Sequence, residues 1–373
     1  MAPISPQGSL KAPIYIIVEQ PYDQDKDKGY IFSGGYGYIF QKMLQDAGLQ
    51  NQYYLCARRN DLEHPMAASI IENAANYYKP PIIITLGNAT GFYCPETLKK
   101  SKKIKNVATQ AEQDSDMEKY SGSLLQSTLF NYPHYVIPTL SPGYIAGHWD
   151  LRDICVFLDL GKAKSELDYF RKHGVLEPLP VRTLTYDFDQ PGGFARLLER
   201  LDYYANAKLL SVDIETIYPN KKSSFYPHPG YPVTIGIAAD AKEGISFRLF
   251  RTDTRETIVL WKKLENLLSK TKFLGQNFFD FDGPRLQALG YPINYNNITD
   301  TLIRHHILWP ELPHKLQFMT KQYTRQPYYK DEGHGWHIKD LKKLMHYNCL
   351  DVCVTYEVWE AQEHEFEQRP HLK

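Results

Sequence analysis

Three short acidic motifs stand in order across the C-terminal half of the chain. They are Ser211-Val212-Asp213-Ile214-Glu215-Thr216, then Asn277-Phe278-Phe279-Asp280-Phe281-Asp282, then Tyr347-Asn348-Cys349-Leu350-Asp351. Four carboxylates and a tyrosine of this kind can hold two divalent metals and aim a water at a phosphodiester. On a strand, residues two apart project to one face, so Asp213 and Glu215 can reach the same ion. Two acids at the rim of a core repel each other unless a cation joins them. In the second motif Asp280 and Asp282 are rivals. Asp282 is preferred because Leu286, four residues on, would turn inward beneath it on the same helix face. Tyr347 and Asp351, spaced i, i+4, share a helix face. Each motif alone also reads as something plainer: a solvated strand end, a helix cap or a surface Tyr–Asp contact. Three in order, about seventy residues apart each time, are harder to reconcile with chance.

The elements that must carry these motifs can be read from the apolar pattern. A helix near Phe194–Ala205 precedes a strand over Leu209–Asp213. Strands follow at Val233–Ala238 and Ile245–Phe250, with a hairpin turn at Asp240–Gly244. Thr257–Leu268 has helical spacing, Phe273-Leu274-Gly275 leads into the second motif, and Ile338–Phe366 reads as largely helical. In the first half, Ile14–Val18, Pro81–Gly87 and Tyr135–Pro138 are short apolar strands. They alternate with helical stretches near Tyr36–Ala47 and Leu160–His173, which predicts a mostly parallel sheet. Pro178 and Pro180 mark the expected boundary. The expected division is a tail at 1–11, a first domain at 12–175, a linker at 176–183 and a second domain at 184–373.

Bulk properties set outer limits. The 373 residues are 43% hydrophobic and 23% charged, an ordinary composition for a globular protein of two or three domains. There is no apolar run of membrane-spanning length and no secretory signal at the N-terminus. Five cysteines without a CxxC pair argue against a disulfide framework or a zinc ribbon and favour a reducing, cytoplasmic setting. Net charge is zero, so any nucleic-acid contact must come from local clusters. Lys99, Lys100, Lys102, Lys103 and Lys105 form one such cluster, readable as a DNA-backbone contact or a solvated loop. Gly34, Gly35 and Gly37 lack the Lys-Ser/Thr of a phosphate loop. His305, His306 and His314 read as helix-surface residues rather than ligands, and Cys349 and Cys353 as core.

The three motifs resemble those of DnaQ-like 3′→5′ exonucleases, in the DEDDy subclass that proofreads for family A and family B DNA polymerases. The resemblance covers about Leu184 to the C-terminus. It implies a ribonuclease H-like mixed-sheet fold, Asp213, Glu215, Asp282 and Asp351 as metal ligands, and Tyr347 orienting the attacking water. Two Mg²⁺ or Mn²⁺ ions suit such hard oxygen ligands. A single-stranded or frayed DNA 3′ end would thread past Asn277, Phe278 and Phe279, the two rings as candidates for base stacking. The spacing Asn277–Asp282, and Asp300-Thr301-Leu302 through Pro310-Glu311-Leu312-Pro313 to Tyr328-Tyr329-Lys330-Asp331, are similar to phage-type polymerase exonuclease domains.

The first half, about residues 12–170, resembles the uracil-DNA glycosylase superfamily, which implies a parallel-sheet α/β/α domain. The resemblance rests on Ile16-Ile17-Val18-Glu19-Gln20-Pro21-Tyr22, Phe32-Ser33-Gly34-Gly35-Tyr36-Gly37, Leu86-Gly87-Asn88-Ala89 and Pro138-Thr139-Leu140-Ser141-Pro142. Departures from its pattern imply a fold without glycosylase activity. Gln20 stands where an Asp would activate water, Ser141 where a His is usual, and Cys56 where an Asn would read the base; Cys56 and Cys94 lack the partners of an iron–sulfur quartet.

The favoured expectation is therefore a DNA 3′→5′ exonuclease behind a disarmed glycosylase-like domain. No palm, fingers and thumb follow Lys373, so the chain is expected to be a proofreading subunit or the front fragment of a phage-type polymerase, binding a polymerase chain in trans. A non-catalytic DNA-binding scaffold and an active uracil-DNA glycosylase are the alternatives.

Overall fold

A computed structural model describes residues 4–58, 66–93, 117–127, 130–217, 231–330 and 340–372. The chain divides into two compact units, Met1–Leu179 with Arg325–Tyr328, and Pro180–Thr324 with Tyr329–Lys373. The basic cluster Lys99–Lys105 and Cys94 lie outside the described residues.

The first unit is built on a six-stranded sheet in the order β1-β3-β2-β4-β6-β5. Its strands are β1 (Gln7–Gly8), β2 (Ile14–Val18), β3 (Tyr53–Ala57), β4 (Ile82–Leu86), β5 (Leu125–Ser127) and β6 (His134–Thr139). The central four run parallel, and β1 and β5 pair antiparallel at the edges, so the sheet is mixed rather than wholly parallel. Strands β2, β4 and β6 are buried along their whole length, because a parallel sheet covered on both faces needs continuous apolar runs. Ile14, Ile16 and Val18 pack with Phe40, Met43 and Leu44 of the helix Gly35–Asp46. Tyr15 and Ile17 point the other way, to Ile71 and Ala75 of the helix Met66–Tyr78.

The second unit carries another six-stranded sheet, in the order β12-β11-β8-β9-β10-β7. Here β7 is Thr183–Thr185, β8 Leu210–Ile217, β9 Tyr231–Ala238, β10 Glu243–Arg248, β11 Phe273–Gly275 and β12 Ile298–Asp300. Strands β8, β9 and β10 form an antiparallel meander, while β7, β11 and β12 pair parallel to their neighbours. Asp240 makes the expected hairpin, its Oδ1 accepting from the backbone N of Lys242 and Glu243 at 2.7 and 2.8 Å.

Alternation on β8 divides labour between the two faces of the sheet. Val212 and Ile214 face a core with Leu197 and Leu201 of the helix Gly193–Tyr204 and Leu260, Leu264, Leu267 and Leu268 of the helix Thr254–Lys270. Asp213 and Glu215 face the opposite side, where the 28-residue C-terminal helix Leu341–Gln368 crosses β8, β9 and β10. Two glycines let it sit close: a Cβ on Gly236 would lie 2.9 Å from Asn348, and one on Gly244 2.7 Å from the Cys349 carbonyl oxygen and the Cys353 sulfur. The sequence pattern left out the short strands β1, β5, β7 and β12 and the helices Thr301–Leu308 and Leu316–Tyr323, and also the central strand β3 and the 13-residue helix Met66–Tyr78. Two- and three-residue strands are too brief to show periodicity.

Candidate active site

Three elements bring the acidic residues together. Strand β8 supplies Asp213 and Glu215, the register shift between Glu215 and Thr216 bending the strand at that point. The helix Asp282–Ala288 supplies its first residue, and the C-terminal helix supplies Tyr347 and Asp351 on one face. One carboxylate oxygen from each of Asp213, Glu215 and Asp351 lies within 4.8 Å of the others. Asp282 is buried, and its Oδ1 accepts from the backbone N of Ile214, between the two acids of β8, at 2.8 Å. Asp280, its rival in the sequence, is exposed. The geometry thus favours Asp282, which the helix start turns inward.

Neighbouring side chains fix the carboxylates. Asn348 Nδ2 donates to Asp213 Oδ2 at 2.6 Å, and its own Oδ1 accepts from Ser246 Oγ at 2.7 Å, tying helix to sheet through β10. Lys330 Nζ donates to both Asp351 oxygens at 2.7 and 2.6 Å and to the Tyr347 hydroxyl at 2.9 Å. Tyr329 packs its ring against Tyr347, centroids 5.8 Å apart. Asp300 supports the second motif from beneath: its Oδ1 accepts from the backbone N of Asn277 and of Leu302, both at 2.9 Å. That bond holds Asn277 in its left-handed conformation, φ 58°.

The electrostatics follow from crowding. Burial first, then the Asp351 charge, raise the Asp213 carboxyl to about 7, with Lys330 and Asn348 opposing. Burial and Asp213 push both Glu215 and Asp282 well above the usual carboxylate range. The Tyr347 hydroxyl is also held in its neutral form, by burial and by Asp351. Carboxyls in this state are costly to ionise together, and a bound cation would relieve the cost. The donor set, all hard oxygen, fits Mg²⁺ or Mn²⁺.

Several expected residues have other roles. Phe278 is fully buried against Phe273, centroids 5.3 Å apart, and cannot stack on a base, because the turn after β11 directs its ring into the core. Phe279 is half-buried and stacked on Tyr295 at 5.7 Å. Cys349 and Cys353 are buried, as expected. His305 is not a surface residue: it is fully buried and hydrogen-bonded. Lys330 and Asn348 lie within segments that the resemblance covers but were given no role there; their contacts with Asp351, Tyr347 and Asp213 form only in the folded chain.

In the first unit, Glu19, Gln20, Tyr22, Ser141, Tyr144 and His148 line part of a cavity of about 540 Å³. Tyr22 packs at a tilt against Tyr36, ring centroids 5.0 Å apart, and its hydroxyl oxygen accepts from the Gly143 backbone N at 3.2 Å. Ser141 caps the short helix Pro142–Gly147, accepting from the Tyr144 N at 3.3 Å. Cys56 does not reach this cavity's side; it is buried with Tyr15 and Ile17 on the other face of the sheet. Glu19, which the sequence reading passed over, is paired with Arg58 at 3.6 Å.

Residues 5–160 match the family model of the Uracil DNA glycosylase superfamily, so the N-terminal region is uracil-DNA-glycosylase-like. Among curated proteins no sequence matches the chain. Among solved structures, it is similar to the catalytic core of RRP6 from Trypanosoma brucei, with 16% identity and a TM-score of 0.40 over 54% of each chain. It is also similar to the Aedes aegypti Nibbler EXO domain, with 13% identity and a TM-score of 0.38 over 51% of this chain and 89% of that one. A third is the POL domain of Pol1 from M. smegmatis in complex with DNA primer-template and dNTP, with 13% identity and a TM-score of 0.36 over 51% of this chain and 28% of that one. The match spans about half the length of the first of these. Among the described residues, no helix is long and apolar enough to cross a membrane.

Proposed function

We propose that the C-terminal domain, residues 184–373, is a metal-dependent 3′→5′ exonuclease acting on DNA ends. The observation that carries this reading is the convergence of Asp213, Glu215 and Asp351 within 4.8 Å, with Asp282 fixed against β8 beside them. Asp213, Glu215, Asp282 and Asp351 would hold two Mg²⁺ or Mn²⁺ ions, which when bound supply Lewis-acid activation of water and stabilise the leaving oxygen. The chain's own contribution is positional. Asn348, anchored by Ser246, fixes the direction of the Asp213 carboxylate. The Tyr347 hydroxyl, kept neutral and held by Lys330, orients the attacking water by hydrogen bonding. Digestion of a 5′-labelled single-stranded DNA with Mg²⁺ tests the reading. A ladder shortening from the 3′ end, lost with EDTA and in Asp213→Ala, is expected; an intact oligonucleotide with the parent protein overturns it.

The N-terminal domain, residues 12–175, is proposed to keep a glycosylase-like fold without base excision. Of the acids lining its cavity, Glu19 is bound to Arg58 and Asp23 to Lys26, and Gln20 cannot serve as a base. Uracil release from single-stranded DNA, abolished by Tyr22→Ala, would sink this. The whole chain is proposed to act as the proofreading subunit or front part of a phage-type DNA polymerase. Co-purification with a polymerase chain at micromolar concentration is the expected result, and failure to associate counts against that role.

A further inference from the structure

Three histidines that the acidic cluster does not use come together at the end of the helix Thr301–Leu308 and the loop that follows it. His305 Nδ1 lies 2.8 Å from His314 Nδ1, and His306 Nδ1 lies 3.0 Å from His314 Nε2. His305 Nε2 lies 2.9 Å from Gln322 Oε1 on the helix Leu316–Tyr323. The three grade outward: His305 is buried, His314 half-buried and His306 exposed.

The partners determine which nitrogens carry lone pairs. With the Gln322 amide turned so that Oε1 faces the ring, His305 donates from Nε2, which leaves its Nδ1 as a lone pair directed at His314. A ring whose far N–H is held by a carbonyl oxygen is the arrangement that orients a metal-binding imidazole. Burial lowers the pKa of His305 and of His314, the latter also through His306, so both rings are neutral near pH 7. The 2.8 Å separation of the two Nδ1 atoms is a hydrogen-bond length; two nitrogens sharing one tetrahedral ion at about 2.0–2.1 Å from each stand roughly 3.3 Å apart, so the rings must part by about half an ångström when an ion replaces the proton between them.

We propose that His305, His306 and His314 form a binding site for a late first-row divalent ion such as Zn²⁺. His305 and His314 bind through Nδ1. For this the proton between them leaves His314 Nδ1, and His314 takes up the Nε2–H tautomer, so the ring remains neutral. Exposed His306 hydrogen-bonds the far side of His314 in the metal-free arrangement and turns about its side-chain torsions to become the third ligand. Water completes the fourth position, as in three-histidine zinc sites. Imidazole nitrogen selects Zn²⁺, Ni²⁺ or Cu²⁺ over Mg²⁺, which separates this site chemically from the all-oxygen set around Asp213. A bound ion would clamp the 309–313 loop to the helix that Asp300 caps, and Asp300 holds the backbone of Asn277.

The test uses full-length protein prepared without a histidine tag, with Zn²⁺ as titrant in calorimetry and Co²⁺ as a spectroscopic probe. In Asp213→Ala, which disables the competing acidic site, expected are one Zn²⁺ per chain and the intense visible absorption of four-coordinate, nitrogen-bound Co²⁺. Both signals should vanish when His314→Ala is added. His306→Ala, at an exposed position, should weaken Zn²⁺ binding by about tenfold or more. Occupancy should fall in acid, where protons compete with the ion for the imidazole nitrogens. No Zn²⁺ bound to Asp213→Ala at micromolar concentration overturns the proposal, as does binding to that variant that survives the addition of His314→Ala. Should His314→Ala fail to fold in EDTA, unchanged affinity in His306→Ala overturns the three-ligand site.

Discussion

Replacing Asp213 by Asn should make the metal-free protein more stable, even though it removes a residue proposed for catalysis. The Asp213 carboxyl is raised from 3.8 to about 7, by burial and by Asp351. The unfolded chain ionises this group near 4, so between pH 4 and 7 the folded state retains a proton that the unfolded state has released. Stability is then lost as pH rises through that window and levels off above it. At about 1.4 kcal/mol for each tenfold step, the penalty at pH 8 is at most about 4 kcal/mol. Asparagine carries no charge and can still accept from Asn348 Nδ2 through its Oδ1. In EDTA at pH 8, Asp213→Asn should therefore unfold later than the parent. The gain is up to about 8–16 °C in Tm, at ~2–4 °C per kcal/mol for a domain of 150–250 residues. The difference should shrink to nothing near pH 4. Mg²⁺ should narrow it at pH 8, because an ion at a hundred times its Kd adds about 2.7 kcal/mol to the parent alone. Thermal unfolding followed by circular dichroism from pH 4 to 8, with EDTA or Mg²⁺, provides the assay. An Asn variant less stable than the parent at pH 8 in EDTA, or a difference independent of pH, would refute the reasoning.

Lys330→Met breaks a buried ion pair with Asp351 and should cost about 3–5 kcal/mol in EDTA, read from the urea midpoint, with part of the loss recovered in Mg²⁺; an unchanged midpoint would mean the pair contributes nothing. Tyr347→Phe should leave the unfolding midpoint nearly unchanged while slowing 3′-end digestion on the order of 10²-fold, and equal rates would remove the hydroxyl from the proposed chemistry. Phe278→Ala should lower stability by about 3–5 kcal/mol through the cavity it leaves in the core. Where the variant is still folded, its affinity for a single-stranded 3′ end should match the parent's, and a selective loss of affinity would return Phe278 to the stacking role.

What could be read from the sequence was whatever a short window encodes. Ile14–Val18 is a strand because five apolar residues in a row suit a sheet buried on both faces. Asp213 and Glu215 share a face because strand periodicity is two, and Tyr347 and Asp351 because helical neighbours recur every four. Tertiary structure decided which chemistry-bearing groups meet. Asp282 rather than Asp280 turns inward because the helix begins at that residue against the Ile214 backbone, a contact spanning 68 positions. Phe278 went to the core because the turn after β11, held by Asp300 from β12, points its ring there. Lys330 sits in a segment that the resemblance covers without being assigned a role, and the trio His305, His306 and His314 carry no pattern of their own. Their environments exist only once distant segments have packed, since burial and charge proximity belong to the folded chain and not to any stretch of sequence.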